Sequence, residues 1–273
     1  MANIQAYNST SDLTFEDFKN ENGITFWWAS ELMLMLGYSE IKSFRKVIDR
    51  ATKAFISLGI NHYDNIIPCG KNVNDELLSD FKLSRFACYI VSMNADPKKE
   101  EVARVQAYFA EQTRKFEVYV QGSDDMERIL FREEIKEGNK SLATAATAAK
   151  VEDFAKFNNA GYLGMYNMQN WQLANKRGID KSKILETMGR TELAANLFRI
   201  TQTEERIKSK NIKGQAALEN THYNVGREVR DIVVRNTGKA PERLEQEREI
   251  PNLKKELKAG AKKMAKIDKP SKK

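Results

Sequence analysis

The sequence predicts a mainly α protein, in which a small α+β N-terminal domain with few short strands is followed by an all-helical C-terminal domain. Only five prolines and fourteen glycines interrupt the 273 residues, which favours long helices over many short strands. Hydrophobic residues make up 41% of the chain, enough to bury a core. The β-prone runs all lie in the first third of the sequence, and helical patterns fill the rest.

The chain divides into four predicted segments. Gly122-Ser123-Asp124 marks the clearest boundary, because the sequence then changes to long helical stretches. The segments are a flexible N-terminus (1–22), the α+β domain (23–121), the helical domain (125–237), and a polar linker with a basic lysine-rich tail (238–273).

In the first domain, short strands alternate with amphipathic helices. Ser84 is expected to cap one helix, and Gly37 is expected to end another in the left-handed conformation. We predict strands at 24–28, 62–67 and 80–83, a turn at Pro68-Cys69-Gly70, and helices at 30–36, 40–57, 85–94 and 98–119.

The helix predicted at 40–57 follows a short helix and a glycine turn, which is the helix-turn-helix pattern. Its apolar positions recur every three or four residues, and it carries the cations Lys42, Arg45, Lys46, Arg50 and Lys53. Of these, Lys42, Lys46, Arg50 and Lys53 are spaced by four, four and three residues, so they share one face roughly opposite part of the apolar stripe. A cationic outer face on a second helix suits entry into a DNA groove. The alternative is an ordinary solvated helix face.

The net charge of +7 is confined to the lysine-rich tail. Residues 252–273 hold nine lysines against Glu256 and Asp268, so the rest of the chain is neutral. A basic tail can neutralise phosphates without reading sequence, or it can simply be a solubilising end. The candidate nucleic-acid contacts in the tail are Lys254, Lys255, Lys258, Lys262 and Lys263.

The C-terminal domain reads as a series of helices. Asn158-Asn159-Ala160-Gly161 is expected to separate two of them, and the helix near 192 could pair with a second copy of the chain in a homodimer. The predicted helices are 125–149, 152–157, 162–176, 192–210 and 216–235.

Catalytic and cofactor signatures are missing from the sequence. It contains no phosphate-binding glycine loop, no nucleophile elbow and no kinase motif. The two histidines lie far apart, so no metal site, cofactor or catalytic residue is predicted. Cys88 lies in an apolar helix and is expected to be a buried structural thiol. Without a signal peptide or an 18-residue apolar run, a cytoplasmic location without membrane contact is expected.

Several distinctive motifs follow one another in a fixed order along the chain. They are Ala29-Ser30-Glu31-Leu32, Leu36-Gly37-Tyr38-Ser39, Leu83 to Pro97, Tyr108-Phe109-Ala110, Gln112-Thr113-Arg114, Asn159 to Tyr166, Met188 to Arg199, Thr201 to Glu205, Thr221-His222-Tyr223 and Val225-Gly226-Arg227. Together they resemble the DNA-damage-inducible protein D family, and those of the first domain resemble BRO-type domains of phage and viral proteins. In the first domain, Phe86 and Ala95 replace the more usual Tyr and Gly.

The resemblance implies expression in the DNA-damage (SOS) response, a BRO-like domain that binds DNA, and, for some members, an effect on the recombinase filament on single-stranded DNA. It implies no catalytic residues. Among the matching residues, Arg85, Arg114 and Arg199 can bind phosphate or form internal ion pairs. Tyr162, Tyr166 and Trp171 can stack on bases or belong to the core. Leu32, Leu36, Leu83, Ala87 and Val91 are expected to be core residues.

Three functions remain open on the sequence alone. The first is a non-catalytic DNA-binding accessory protein, with single-stranded DNA preferred over a specific duplex and the strand-exchange recombinase as a further partner. The second is a protein-interaction module that acts on the recombinase without DNA. The third is a nuclease that uses carboxylates and magnesium, which we do not expect.

Overall fold

The computed structural model of the chain describes residues 14–73, 75–114 and 122–268. These residues form two compact units. Unit 1 combines the described residues up to Met126 with those from Leu253 onward, and unit 2 comprises Glu127–Asn252.

Unit 1 contains a four-stranded antiparallel sheet in the order β1-β2-β4-β3. The strands are β1 (Asn20–Glu21), β2 (Thr25–Trp28), β3 (Ile66–Val73) and β4 (Glu76–Leu83). The turn predicted at Pro68-Cys69-Gly70 is wrong, because Pro68 pairs with Phe81 within the β3–β4 ladder. β3 is an edge strand, where a proline without an N–H is tolerated.

The helices of the first domain lie close to their predicted positions. They are α1 (Ala29–Met35), α2 (Ile41–Leu58), α3 (Arg85–Met93) and α4 (Glu100–Arg114). Gly37 has φ 69°, and Ser84 Oγ accepts a hydrogen bond from the Ala87 N–H at 3.0 Å, so both predicted helix signals are confirmed. The predicted core residues Leu32, Leu36, Leu83, Ala87 and Val91 are all buried, as is Cys88. The predicted end of the fourth helix, residues 115–119, lies outside the described residues.

The described part of the N-terminal segment is packed, in contrast to the flexible end predicted for residues 1–22. Phe15, in a 3₁₀ turn at Phe15–Phe18, is buried and stacks on Trp27 with ring centroids 4.6 Å apart. The Trp27 indole N–H also donates to the Phe15 carbonyl at 3.0 Å. Burial of two aromatic rings offsets the cost of ordering this short stretch. Residues 1–13 lie outside the described residues.

Unit 2 is built from helices. They are α5 (Gly122–Ala148), α6 (Phe154–Tyr166), α7 (Asn170–Arg177), α8 (Arg190–Ser209) and α9 (Gln215–Thr237), of which α5 begins within unit 1. The helix break predicted at residues 158–161 is wrong, because α6 runs through it. The Asn-rich run has turn propensity, but burial of Phe157, Gly161 and Met165 against α9 outweighs it.

The last described helix, α10 (Ile250–Ile267), occupies the region predicted as a polar linker and tail. Its apolar positions fall on one stripe, and Leu253, Leu257 and Met264 are almost fully buried. Nearly all of this stripe belongs to unit 1, so the predicted tail is folded as far as the structure describes it, to Asp268. The sequence suggested a basic tail because α10 is rich in lysine, although its apolar residues recur every three or four positions, as in an amphipathic helix.

The predicted fold class is confirmed: a mainly α chain with a small antiparallel sheet in its N-terminal part. Within the described ranges, none of the helices is long and apolar enough to cross a membrane.

Candidate nucleic-acid interface

Helix α2 carries the predicted cations on its outer side. Phe44, Ala51 and Phe55 on its inner side are fully buried, whereas Ile41 and Ile56 are exposed. The α2 basic face consists of Lys42, Arg45, Lys46, Arg50 and Lys53, and all five are exposed. The structure therefore brings the whole predicted set together on one solvent-facing surface, as the 3.6-residue period requires.

Most of this positive charge is not neutralised locally. Of the five side chains, Arg50 has an interaction within the protein. Within the described part of the chain, Lys42, Arg45, Lys46 and Lys53 form no ion pair at 4.0 Å or less. Asp49 is the one acidic residue between them in sequence. The four exposed cations Lys42, Arg45, Lys46 and Lys53 attract phosphates at little desolvation cost.

Helix α10 presents a second cationic face in the same unit. Its buried stripe leaves Lys255, Lys258, Lys262 and Lys266 on the opposite, exposed side, and we call these four residues the α10 lysine face. Of the other tail lysines predicted as contacts, Lys254 is half-buried, and both Lys254 and Lys263 interact within the protein.

Helix α10 approaches the C-terminal end of α2. Gly59 ends α2 with φ 61°, and a Cβ added to it would lie 3.6 Å from the Lys258 ammonium nitrogen. An ammonium group at this position also interacts favourably with the negative end of the α2 dipole. One residue of the α10 lysine face, Lys258, therefore lies beside the C-terminal end of α2 within unit 1.

Arg85 is not available as a phosphate contact. It is 8% exposed, and its guanidinium is ion-paired with Glu16 and with Asp268, which is 2.9 Å from Nη2. The guanidinium also lies 4.8 Å from the centre of the Trp27 ring. Burial alone would lower the pKa of Arg85, but the hydrogen bonds to the two carboxylates raise it above its usual value. Arg85 therefore belongs to the internal packing of unit 1.

The remaining predicted contact, Arg114, is the last residue of α4 as the structure describes it, and its side chain lies outside the described part. It stays a prediction.

A cation–aromatic cluster on the sheet was not predicted from the sequence. The Lys82 ammonium lies 4.5 Å from the centre of the Phe26 ring and 5.6 Å from that of Trp28. Lys71 lies 5.1 Å from the Trp28 ring and is paired with Glu31 at 2.8 Å. Side chains alternate between the two faces of a strand, so Phe26 and Trp28 of β2 lie on one face, and this pattern could have indicated the cluster.

In unit 2, side chains from three of the motifs identified in the sequence form one buried polar cluster. Asn196 Nδ2 donates to the Tyr166 hydroxyl at 2.6 Å, and Arg199 Nη2 donates to Asn196 Oδ1 at 3.1 Å. Arg199 Nη1 also contacts His222 Nε2, and its guanidinium lies 5.2 Å from the centre of the Tyr162 ring. Tyr162 and Tyr166 are therefore interior residues, whereas Trp171 is 49% exposed.

His222 is held neutral in this cluster. Its Nδ1 lies 3.0 Å from the Phe157 carbonyl, so Nδ1 carries the proton and Nε2 accepts from Arg199. Burial and the neighbouring Arg199 charge lower the pKa of His222 well below its usual value. A buried ion pair between Arg177 and Glu192, at 2.8 Å, lies beside Tyr166, with the Arg177 guanidinium 6.0 Å from the centre of the Tyr166 ring.

Among the described residues, no group of three or more His, Cys, Asp or Glu side chains could hold a metal ion.

Comparison with known proteins gives two matches. Residues 122–253 match the model of the DinD C-terminal domain, a range that nearly coincides with unit 2. Over 248 residues the chain is 41% identical to the DNA damage-inducible protein D of Escherichia coli (strain K12). The aligned region covers 84% of this chain and 90% of that protein.

Proposed function

Because the chain belongs to the DNA damage-inducible protein D family, we propose that it serves the DNA-damage response as a non-catalytic protein that binds nucleic acid through unit 1. The observation that carries this proposal is the presence of two exposed cationic faces, on α2 and on α10, in unit 1. Both faces lie opposite fully buried apolar stripes, so their orientation toward solvent is fixed by the fold.

The chemistry of these faces favours backbone binding over base reading. Lysines make up most of both faces, and an ammonium group contacts phosphate as a point charge without the bidentate geometry that arginine uses on guanine. Single-stranded DNA suits such a surface, because its flexible backbone can follow lysines spread over two helices. The recombinase filament on single-stranded DNA is the target we infer for this binding.

The test is fluorescence anisotropy with single-stranded and duplex oligonucleotides at low salt. The variant Lys42→Gln/Lys46→Gln/Lys53→Gln removes three exposed, unpaired charges from α2. We expect it to weaken single-strand binding about tenfold or more, because each phosphate contact contributes favourably at low salt.

A matched control removes the same charge elsewhere. Lys176→Gln/Lys181→Gln/Lys210→Gln changes three exposed lysines of unit 2 and should bind like the unaltered protein. If the two triple variants lost affinity equally, the α2 basic face would not be a specific interface.

A second candidate function is a DNA-independent contact with the recombinase through unit 2. It is favoured by large apolar side chains that unit 2 exposes to solvent: Trp171 at 49%, Phe198 at 47% and Phe154 at 41%. Exposed aromatic residues are enriched where proteins bind each other. Pull-down of the recombinase after nuclease digestion separates the two candidates, because retention without DNA supports only this one.

A further inference from the structure

Arg199 in unit 2 carries a buried charge without an acidic partner. The residue is 2% exposed. Within the described residues its guanidinium contacts only neutral groups: His222, Asn196 and the face of the Tyr162 ring. Its Nε has no hydrogen-bond partner there. Burial of a cation without an opposite charge is unfavourable, so this arrangement would be stabilised by an anion.

Arg199 also lines a cavity of about 160 Å³ within unit 2, well above the ~30 Å³ that one water molecule occupies in the liquid. The other polar groups of its wall are the amides of Asn139 and Asn158 and the hydroxyl of Tyr162, and the remaining lining side chains are apolar. Arg199 is therefore the charged residue among the residues that line this space.

The polar groups around the cavity suit an anion. Neither amide has a hydrogen bond among the described residues, so both N–H groups can donate. Burial raises the pKa of Tyr162, which keeps its hydroxyl protonated as a donor. His222 is neutral and already accepts from Arg199, so it fixes the guanidinium in place without cancelling its charge.

We propose that this cavity binds a small oxyanion, a phosphate or carboxylate group, with Arg199 as its charged partner and Asn139, Asn158 and Tyr162 as hydrogen-bond donors. The arrangement follows the rule that buried charges are paired. A guanidinium held by two neighbouring side chains also binds oxyanions with little loss of conformational entropy. The site is separate from the α2 basic face and does not rest on nucleic-acid binding.

The test uses isothermal titration calorimetry on the full chain at constant ionic strength. The probes are inorganic phosphate, acetate and a nucleoside 5′-monophosphate, so the arms distinguish a free anion from a phosphate carried by a larger molecule. We expect saturable binding of at least one probe, with equal affinity in the Lys42→Gln/Lys46→Gln/Lys53→Gln variant.

Two substitutions address the cavity itself. Asn158→Asp places a carboxylate at the cavity wall as a built-in counterion. It should weaken anion binding by about tenfold or more through like-charge repulsion, and it should raise the melting temperature without added anion. Asn175→Asp, on the exposed side of α7, makes the same change away from the lining and should alter neither quantity.

Arg199→Gln should abolish binding of every probe, and the result for Asn158→Asp stands even if this variant does not fold. The proposal is overturned if the unaltered protein binds none of the three probes saturably. It is also overturned if Asn158→Asp binds them as tightly as the unaltered protein does.

Discussion

At the scale of single residues, small side chains bring helices α6 and α9 into backbone contact. A Cβ added to Gly226 would lie 2.7 Å from the Gly161 carbonyl oxygen and 2.9 Å from the Met165 nitrogen, which is too close for any side chain. A Cβ on Gly161 would overlap Arg199 and His222. The contact between α6 and α9 could not be predicted from the sequence, because the residues that meet lie some 60 positions apart.

Gly226→Ala should destabilise unit 2 by about 2 kcal/mol or more, because the obstructing atoms are backbone and the helices must separate. Urea denaturation measures this change. Gly189→Ala is the matched control: its Cβ would meet Glu247 at an ordinary 3.5 Å, and we expect a loss below about 1 kcal/mol. Equal losses would mean that the close approach of α6 and α9 is not required.

His222 should make stability depend on pH. Its pKa in the folded protein is far below the usual 6.5, so the unfolded chain binds a proton that the folded chain does not. Stability from this group is complete above about pH 6.5 and falls as pH decreases, by at most about 1.4 kcal/mol per pH unit.

The measurement is urea denaturation at several pH values between about 7.5 and 5. His222→Gln should be less stable at neutral pH and should lack this slope, whereas His62→Gln, at the other histidine, should retain it. An unchanged slope in His222→Gln would show that His222 is not the titrating group.

At the scale of elements, α10 is the helix that was not predicted from the sequence. Composition marked residues 252–273 as a tail, yet Leu253, Leu257 and Met264 form a buried stripe. Burial of three such side chains contributes about 2 kcal/mol each, so removal of α10 would disturb unit 1 as well as its charge. Substitution of lysines therefore tests the α10 lysine face more cleanly than truncation does.

The end of α10 is held by Asp268. Its carboxylate pairs with Arg85 at 2.9 Å, and its carbonyl accepts from the Thr25 hydroxyl at 3.1 Å. Asp268→Asn should lower the free energy of unfolding by about 1–3 kcal/mol, because it weakens a largely buried, charge-assisted hydrogen bond.

The same substitution should expose α10 to trypsin in limited proteolysis at Lys262 and Lys263, since local opening becomes more frequent. Asp231→Asn, at an exposed position of unit 2, provides the control. Identical cleavage rates in both variants and in the unaltered protein would argue against a role for Asp268 in holding the helix.

Other elements show what local pattern can and cannot predict. Hydrophobic period, capping and turn chemistry act over a few residues. They were enough to predict the bounds of α2 and α3 and the left-handed conformation of the glycine after α1. The continuity of α6 and the edge strand through Pro68 depend on neighbours distant in sequence. Among the candidate contacts, the outward direction of the α2 basic face followed from its period, whereas the ion pairs of Arg85 depend on Glu16 and Asp268.

At the scale of the whole molecule, the exposed basic faces and the buried polar cluster belong to different units. Unit 1 holds the α2 basic face and the α10 lysine face. Unit 2 holds the matched DinD C-terminal domain and the buried cluster around Arg199. This division predicts that variants of the basic faces alter nucleic-acid affinity without loss of stability, whereas variants of the buried cluster alter stability first.

The salt dependence of single-strand binding tests the proposed interface most directly, because its slope counts the phosphates that the protein neutralises. The Lys42→Gln/Lys46→Gln/Lys53→Gln variant should reduce the slope of log K against log salt by about 2, at ~0.7 per phosphate contact. The unit 2 control variant should keep the slope of the unaltered protein. A slope that the α2 substitutions leave unchanged, or an affinity that does not depend on salt, would contradict binding through the α2 basic face.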